Sequence, residues 1–246
     1  MSAPLFFVDL GLPEHGERAY LTPEDTKHAL RSLRLRAGDE VSLADGRSWT
    51  GRGRLVQEEG GRAAVEVTEA RRVVRRAPLV SIAMAPPKGD RLAWAVQKLA
   101  EIGADELLLM DADRSVRRWR DQDRAGRVLG RLGLVAREAA MQSRRPFVME
   151  VVGGGAVADA LLVEPARAVM LWEGAVHPLQ ATLPGTDDTR SVRLLVGPEG
   201  GFSDGEVEAA EAAGAALATL GAGILRTETA AVVAAALALA RLGRLG

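Results

Sequence analysis

The alternation of apolar and polar residues changes its rhythm part-way along the chain. In the first 70 residues, short runs at 6–8, 40–43, 49–56 and 63–68 are rich in apolar or β-branched residues. Turns such as Asp45-Gly46 part them, which predicts strands. One helix interrupts the strands: Thr22 can cap it, Pro23 suits its first position, and Asp25 completes a Thr-x-x-Asp box. Its spacing continues through His28, Leu30 and Leu33 and leaves Arg31 and Arg34 on the polar side. The expectation is a small β-barrel with one helix.

Residues 70–78, Ala-Arg-Arg-Val-Val-Arg-Arg-Ala-Pro, read as a charged linker, so the expected domains are 1–72 and 73–246. Beyond the linker, strands and helices alternate. Strands are predicted at 79–85, 107–110, 147–152, 169–172, 192–196 and 216–220. Helices are predicted at 90–102, 121–141, 157–164, 204–213 and 227–242, the third stopped by Pro165. Such alternation predicts an α/β domain with a parallel sheet covered on both faces.

The 246 residues are 47% apolar and 26% charged, an ordinary globular balance. Cysteine is absent, which excludes disulfides, thiolate metal sites and cysteine nucleophiles. His15, His28 and His177 are scattered and no H-E-x-x-H pair exists, so no metal site is expected. The N-terminus lacks the basic and apolar regions of a signal peptide. The longest apolar stretch, residues 230–240, is too short to span a bilayer. A soluble, cytoplasmic protein is expected. The net charge of −1 hides an asymmetry. Residues 1–150 carry 26 basic and 22 acidic side chains and residues 151–246 carry 6 and 11, so any nucleic-acid face belongs to the first part. An arginine-rich solvated surface explains the same excess.

Two glycine-bearing loops follow apolar strands near the C-terminus: Gly197-Pro198-Glu199-Gly200-Gly201-Phe202-Ser203, and Gly221-Ala222-Gly223-Ile224-Leu225-Arg226-Thr227-Glu228-Thr229. In parallel sheets, ligands bind where loops converge beyond the carboxyl ends of strands. Each loop alone is weakly specific. The first also suits a tight strand-to-helix turn, and the second suits a helix start capped by Thr227 or Glu228. A competing motif, Gly153-Gly154-Gly155-Ala156-Val157-Ala158, satisfies the dinucleotide pattern G-x-G-x-x-A, with Glu173 placed to hold a ribose. It implies an oxidoreductase. A plain glycine turn reads the same.

Taken together, the two C-terminal loops resemble those of the SPOUT superfamily of knotted methyltransferases. Most similar is the family that methylates N3 of a uridine in 16S ribosomal RNA. Lys88-Gly89-Asp90-Arg91, residues 97–103, Arg114-Ser115-Val116 and residues 138–143 match its earlier segments, and residues 28–41 its PUA-like RNA-binding domain. Met141, Arg144 and Gly223 depart from the family's usual acidic residue, glycine and arginine.

The resemblance implies a trefoil knot from about Val192 onward and S-adenosylmethionine as cofactor. The cofactor's walls would be Leu171, Trp172 and Glu173; Val196, Gly197, Pro198, Glu199, Gly200 and Gly201; and Leu220, Gly221, Ala222, Gly223, Ile224, Leu225 and Arg226, with Thr229. Arg226 is the expected stabiliser of negative charge on the uracil, and Glu199 or Glu228 the expected acceptor of its N3 proton; a helix-capping or loop-fixing role suits either glutamate equally. Phosphate contacts are expected from His28, Arg31, Arg34, Arg36 and Lys88, with Arg144 and Arg145 behind them. The partners implied are 16S rRNA or the assembled small subunit, and a second copy meeting the last helix. A non-catalytic RNA-binding protein is the remaining alternative.

Overall fold

The computed structural model describes residues 3–57, 62–116, 122–162, 166–185 and 190–245. The chain forms two compact units. The first is Met1–Arg75 with Ala140–Val148, and the second is Arg76–Ala139 with Met149–Gly246.

The first unit is a five-stranded sheet. Its order is β1 (Leu5–Phe7), β3 (Glu40–Ala44), β4 (Trp49–Gln57), β5 (Ala63–Arg72) and β2 (Arg18–Tyr20). Only β1 and β3 run parallel. Alternate residues (Val41, Leu43, Leu55, Val65, Val67) turn inward with Phe6 and Trp49, as the period of two demands. The Trp49 Nε1–H donates to the Leu10 carbonyl at 2.9 Å, so the buried indole loses no hydrogen bond. Strand β5 runs on to Arg72, so the first part of the expected linker is paired sheet. Strand β2 has only three residues and one buried side chain, too little pattern to be legible.

The predicted helix starts as expected and ends early. In α1 (Pro23–Lys27), the Asp25 amide donates to Thr22 Oγ1 at 3.0 Å. Residues 28–32 then widen into one π turn, closed by the Leu33 amide on the His28 carbonyl at 3.0 Å. Leu33 is therefore 41% exposed rather than on an apolar face.

The second unit is a six-stranded sheet ordered β11 (Ala216–Ala218), β9 (Ala166–Leu171), β10 (Ser191–Val196), β6 (Val80–Met84), β7 (Glu106–Asp111) and β8 (Glu150–Ala156). All its pairings are parallel. The helices are α2 (Arg91–Ile102), α3 (Gln122–Gln142), α4 (Val157–Leu161), α5 (Leu179–Thr182), α6 (Asp204–Ala212) and α7 (Thr227–Arg241). Asp121 at the expected start of α3 and Glu164 and Pro165 at the expected end of α4 lie outside the described residues. Ala83, Met170 and Leu195 pack with Val157 and Ala160 of α4 and Val207 and Ala210 of α6. Helix α7 packs against α2, β6 and β10.

The order of strands carries the topology. The chain places β9 beyond β10, lays β11 outside β9, then returns to set α7 on β6 and β10. Residues 219–226 must therefore cross the carboxyl ends of β9 and β10, as a knotted C-terminus requires.

Residues 153–155 are neither a turn nor a phosphate loop. They lie inside β8, where Gly153 pairs with Leu109. A Cβ at Gly154 would come within 2.9 Å of the Leu108 side chain, and one at Gly155 would collide with the Asp159 carboxylate. That carboxylate caps the next helix by accepting from the Ala156 amide at 2.8 Å. Gly154 is required by close packing on Leu108 and Gly155 leaves room for the capping Asp159, and a strand already committed to its neighbour cannot wrap a pyrophosphate. This overturns the dinucleotide reading.

Candidate functional site

Three loops meet at the carboxyl ends of β9, β10 and β11. After β10, Pro198 turns the chain and its carbonyl accepts from the Gly201 amide at 2.9 Å. Gly201 takes φ +70°, a conformation that costs a residue with a Cβ about 1–2 kcal/mol. Ser203 then opens α6 with a reciprocal capping box: its amide donates to Glu206 Oε2 at 2.8 Å, and the Glu206 amide donates to Ser203 Oγ at 3.3 Å. After β11, the Thr219 amide donates to the His177 carbonyl at 2.9 Å, and the Gly221 amide to Thr219 Oγ1 at 3.1 Å. The Thr227 hydroxyl donates to the Gly197 carbonyl at 3.0 Å and ties one glycine loop to the other.

The cleft so formed holds about 1080 Å³ of empty space, including the part open to solvent. Leu171, Trp172, Glu173, residues 196–201, Leu220, Gly221, Ile224 and Leu225 line it, all of them expected from the sequence. Ala222 and Gly223, inside the expected stretch 220–226, line it too; Phe202, Thr219, Thr227 and Ala230 also line it and were not expected. Thr227 had read as a helix cap; its true partner lies 30 residues away, which no local spacing reveals. The N-cap of α7 is Arg226, without a side-chain cap bond.

The charge of the lining decides what can enter. Among the described residues that line it, Glu173 and Glu199 are the only ionisable side chains, and none is a lysine or arginine. A pyrophosphate would meet carboxylates there, whereas a sulfonium or ammonium cation is favoured. The backbone amides and carbonyls of Leu220, Ile224 and Leu225 make no hydrogen bond to a described residue, leaving donors and acceptors for the edge of a heteroaromatic ring. S-adenosylmethionine fits both features.

The remaining candidates fall elsewhere. Arg226 is exposed beside the cleft without lining it, and its guanidinium makes no bond to a described residue. Thr229 is half-buried in the first turn of α7. Glu228 is 6% exposed and sits outside the lining. Its Oε1 lies 3.6 Å from Arg91 Nε on α2, and its Oε2 is buried without a hydrogen bond to a described residue. In the first unit, His28, Arg31, Arg34 and Arg36 are exposed together on the π turn and the loop after it. Arg144 and Arg145 also belong to that unit, the former exposed, while exposed Lys88 belongs to the second. No cluster of metal-binding side chains occurs among the described residues.

Residues 75–239 match a family model described as an RNA methyltransferase domain, and residues 21–68 one described as an RNA methyltransferase PUA domain. The chain is 37% identical over 243 residues to Ribosomal RNA small subunit methyltransferase E of Mycobacterium bovis, covering 95% of this chain and 90% of that protein. This chain belongs to the ribosomal RNA small subunit methyltransferase E family. The enzyme of that name from Bacillus subtilis is 29% identical over 218 residues, 85% of each chain. A crystal structure of the one from Neisseria gonorrhoeae, bound to S-adenosyl methionine, superposes with a TM-score of 0.81 at 26% identity, covering 97% of this chain and 98% of that one. The family read from the two glycine loops is thus borne out, together with its fold, a PUA-like unit, here a five-stranded sheet rather than a closed barrel, followed by a SPOUT methyltransferase domain.

Proposed function

We propose that the protein transfers a methyl group from S-adenosylmethionine to N3 of a uridine in 16S ribosomal RNA. The observation that carries this reading is the cleft: among its described lining residues it has two carboxylates and no cation, and the backbone of Leu220, Ile224 and Leu225 makes no hydrogen bond to a described residue. Those backbone groups would hold the adenine. Glu173 and Glu199 face the cationic half, and the glycines at 197, 200 and 201 leave it room. When bound, the cofactor supplies a methyl on a sulfonium sulfur, an electrophile that needs no further activation.

The chain's own task is then to position the base and manage one proton. Holding two reactants in line is worth about 7–11 kcal/mol of barrier. Arg226, exposed beside the cleft and making no bond to a described residue, stabilises the negative charge that grows on the uracil oxygens as the N3 proton leaves. Glu199, a lining residue, accepts that proton directly or through water. Glu228 is engaged by Arg91 and serves instead to join the first turn of α7 to α2.

His28, Arg31, Arg34, Arg36, Lys88, Arg144 and Arg145 contact the RNA backbone, whether in free 16S rRNA or in the assembled small subunit. The protein acts in the cytoplasm as a homodimer through its C-terminal domain. Val232, Val233, Ala236, Leu237 and Ala240 support this, forming an apolar stripe on α7 that stays partly exposed opposite its buried face. Among the described residues, no helix is long and apolar enough to cross a membrane.

A calorimetric titration with S-adenosylmethionine, with NAD in a parallel cell, tests the reading. One cofactor per chain and silence from NAD are expected. Silence from S-adenosylmethionine, with RNA absent and present, would overturn it.

A further inference from the structure

The loop after β7 reaches over the end of β6 to the first glycine loop. Residues 112–115 make a tight turn, with the Ser115 amide on the Ala112 carbonyl at 2.9 Å and the Ala112 amide on Ser115 Oγ at 3.0 Å. The turn presents Arg114, which does not line the cleft. Its Nη1 donates both to the Gly200 carbonyl at 3.2 Å and to the Phe202 carbonyl at 3.0 Å. Its stem lies so near that a Cβ on Gly200 would sit 3.3 Å from Arg114 Cβ.

Each carbonyl belongs to a peptide plane whose other end is also held. The plane after Gly200 carries the Gly201 amide, which donates to the Pro198 carbonyl at 2.9 Å. The plane after Phe202 carries the Ser203 amide, which donates to Glu206 Oε2 at 2.8 Å. A peptide group is rigid, so fixing its oxygen and its hydrogen fixes its orientation. Arg114 supplies the outer hold on both planes. The adjoining Asp113 strengthens the brace: its amide donates to Glu206 Oε1 at 2.9 Å, and its carboxylate accepts from Ser203 Oγ at 2.7 Å. Between the two clamped planes lies Gly201, the lining residue with φ +70° whose Cβ would meet Glu173 at 3.2 Å.

We infer that Arg114 is a positioning residue for the cofactor: it presets the wall at residues 200–202 from outside the cleft without touching the ligand. The inference rests on the reading that this cleft takes S-adenosylmethionine. A preset wall spares the ligand the cost of ordering two peptide planes, and so acts on affinity rather than on the chemical step.

Arg114→Met keeps the stem and removes the donors; Arg114→Lys keeps a charged donor. With 16S rRNA as substrate, Arg114→Met should raise the Kd and KM for S-adenosylmethionine about tenfold. Its KM for RNA and kcat at saturating cofactor should stay within about threefold of wild type, and Arg114→Lys should recover a large part of the lost affinity. An unchanged Kd in Arg114→Met overturns the inference. So does a loss of kcat, RNA affinity and melting temperature in proportion, or a Lys variant no better than Met. If wild type itself fails to bind S-adenosylmethionine, the reading of the cleft fails before Arg114 is tested.

Discussion

The Thr227 hydroxyl donates to the Gly197 carbonyl at 3.0 Å and joins the two glycine loops across 30 residues of chain. It fixes the start of α7 relative to the turn after β10, and both line the same cleft. Thr227→Val keeps the shape and leaves a carbonyl without its donor, at a cost of about 1–3 kcal/mol. Chemical denaturation should show that loss, and calorimetry a several-fold weaker S-adenosylmethionine. Unchanged values in both would leave the bond without consequence.

Arg226 is exposed, makes no bond to a described residue, and is the cation proposed to act on the uracil. Arg226→Ala should lower methyl transfer by at least a hundredfold, the scale of one lost charge-stabilising group. Its affinity for S-adenosylmethionine and its melting temperature should stay near wild type. Lost cofactor binding or lost folding would assign Arg226 to structure.

Much of this was legible in the sequence, because the change from period-two strands to alternating strands and helices follows directly from burial. Mostly apolar runs such as residues 192–196 suit central strands, and in a parallel sheet the loops after such strands converge at one edge. Short elements were not legible: β2 and α5 have three and four residues, too few for a periodic signal. Residues 153–155 misled because glycine serves a turn and a crowded strand equally, and only the Leu108 and Asp159 side chains decide between them. Arg114 and Thr227 act on carbonyls 86 and 30 residues away, contacts that no spacing along the chain encodes.

Asp45 governs the turn between β3 and β4. Burial pushes its carboxyl up, but the Ser48 hydroxyl at 2.6 Å and the amides of Ser48, Arg47 and Trp49 outweigh it and hold it at about 2. A carboxyl depressed by folding adds stability above its ordinary range, near pH 4, and loses it as the pH falls toward 2. After allowance for solvent screening, Asp45→Asn should cost about 1–2 kcal/mol at pH 7 and little at pH 2. Urea unfolding at both pH values checks this; an equal cost at both would contradict it.

The C-terminus is pinned by a buried ion pair. Arg244 Nη2 lies 3.0 Å from Asp105 Oδ1, while Nη1 bonds Asp105 Oδ2 and, at 2.9 Å, the Pro78 carbonyl. Arg244→Ala leaves the buried Asp105 carboxylate without the guanidinium, its Oδ2 still accepting from the Val80 amide at 2.7 Å, and should cost about 3–5 kcal/mol in urea unfolding. Arg244→Ala with Asp105→Ala should recover part of that cost. A loss below about 1 kcal/mol in the single variant would mean that the pair is open in solution.

The central claim is the transfer of a methyl to uridine N3, and the product itself tests it most directly. The protein would be incubated with methyl-labelled S-adenosylmethionine and unmodified 16S rRNA, both free and in assembled small subunits. Nucleoside mass spectrometry identifies the product, and primer extension locates it, since a methyl on N3 blocks the pairing edge. Label in N3-methyluridine at one position, absent with Arg226→Ala, is the expected result. Label on a ribose or another base, or none in either substrate while the cofactor binds, would contradict it.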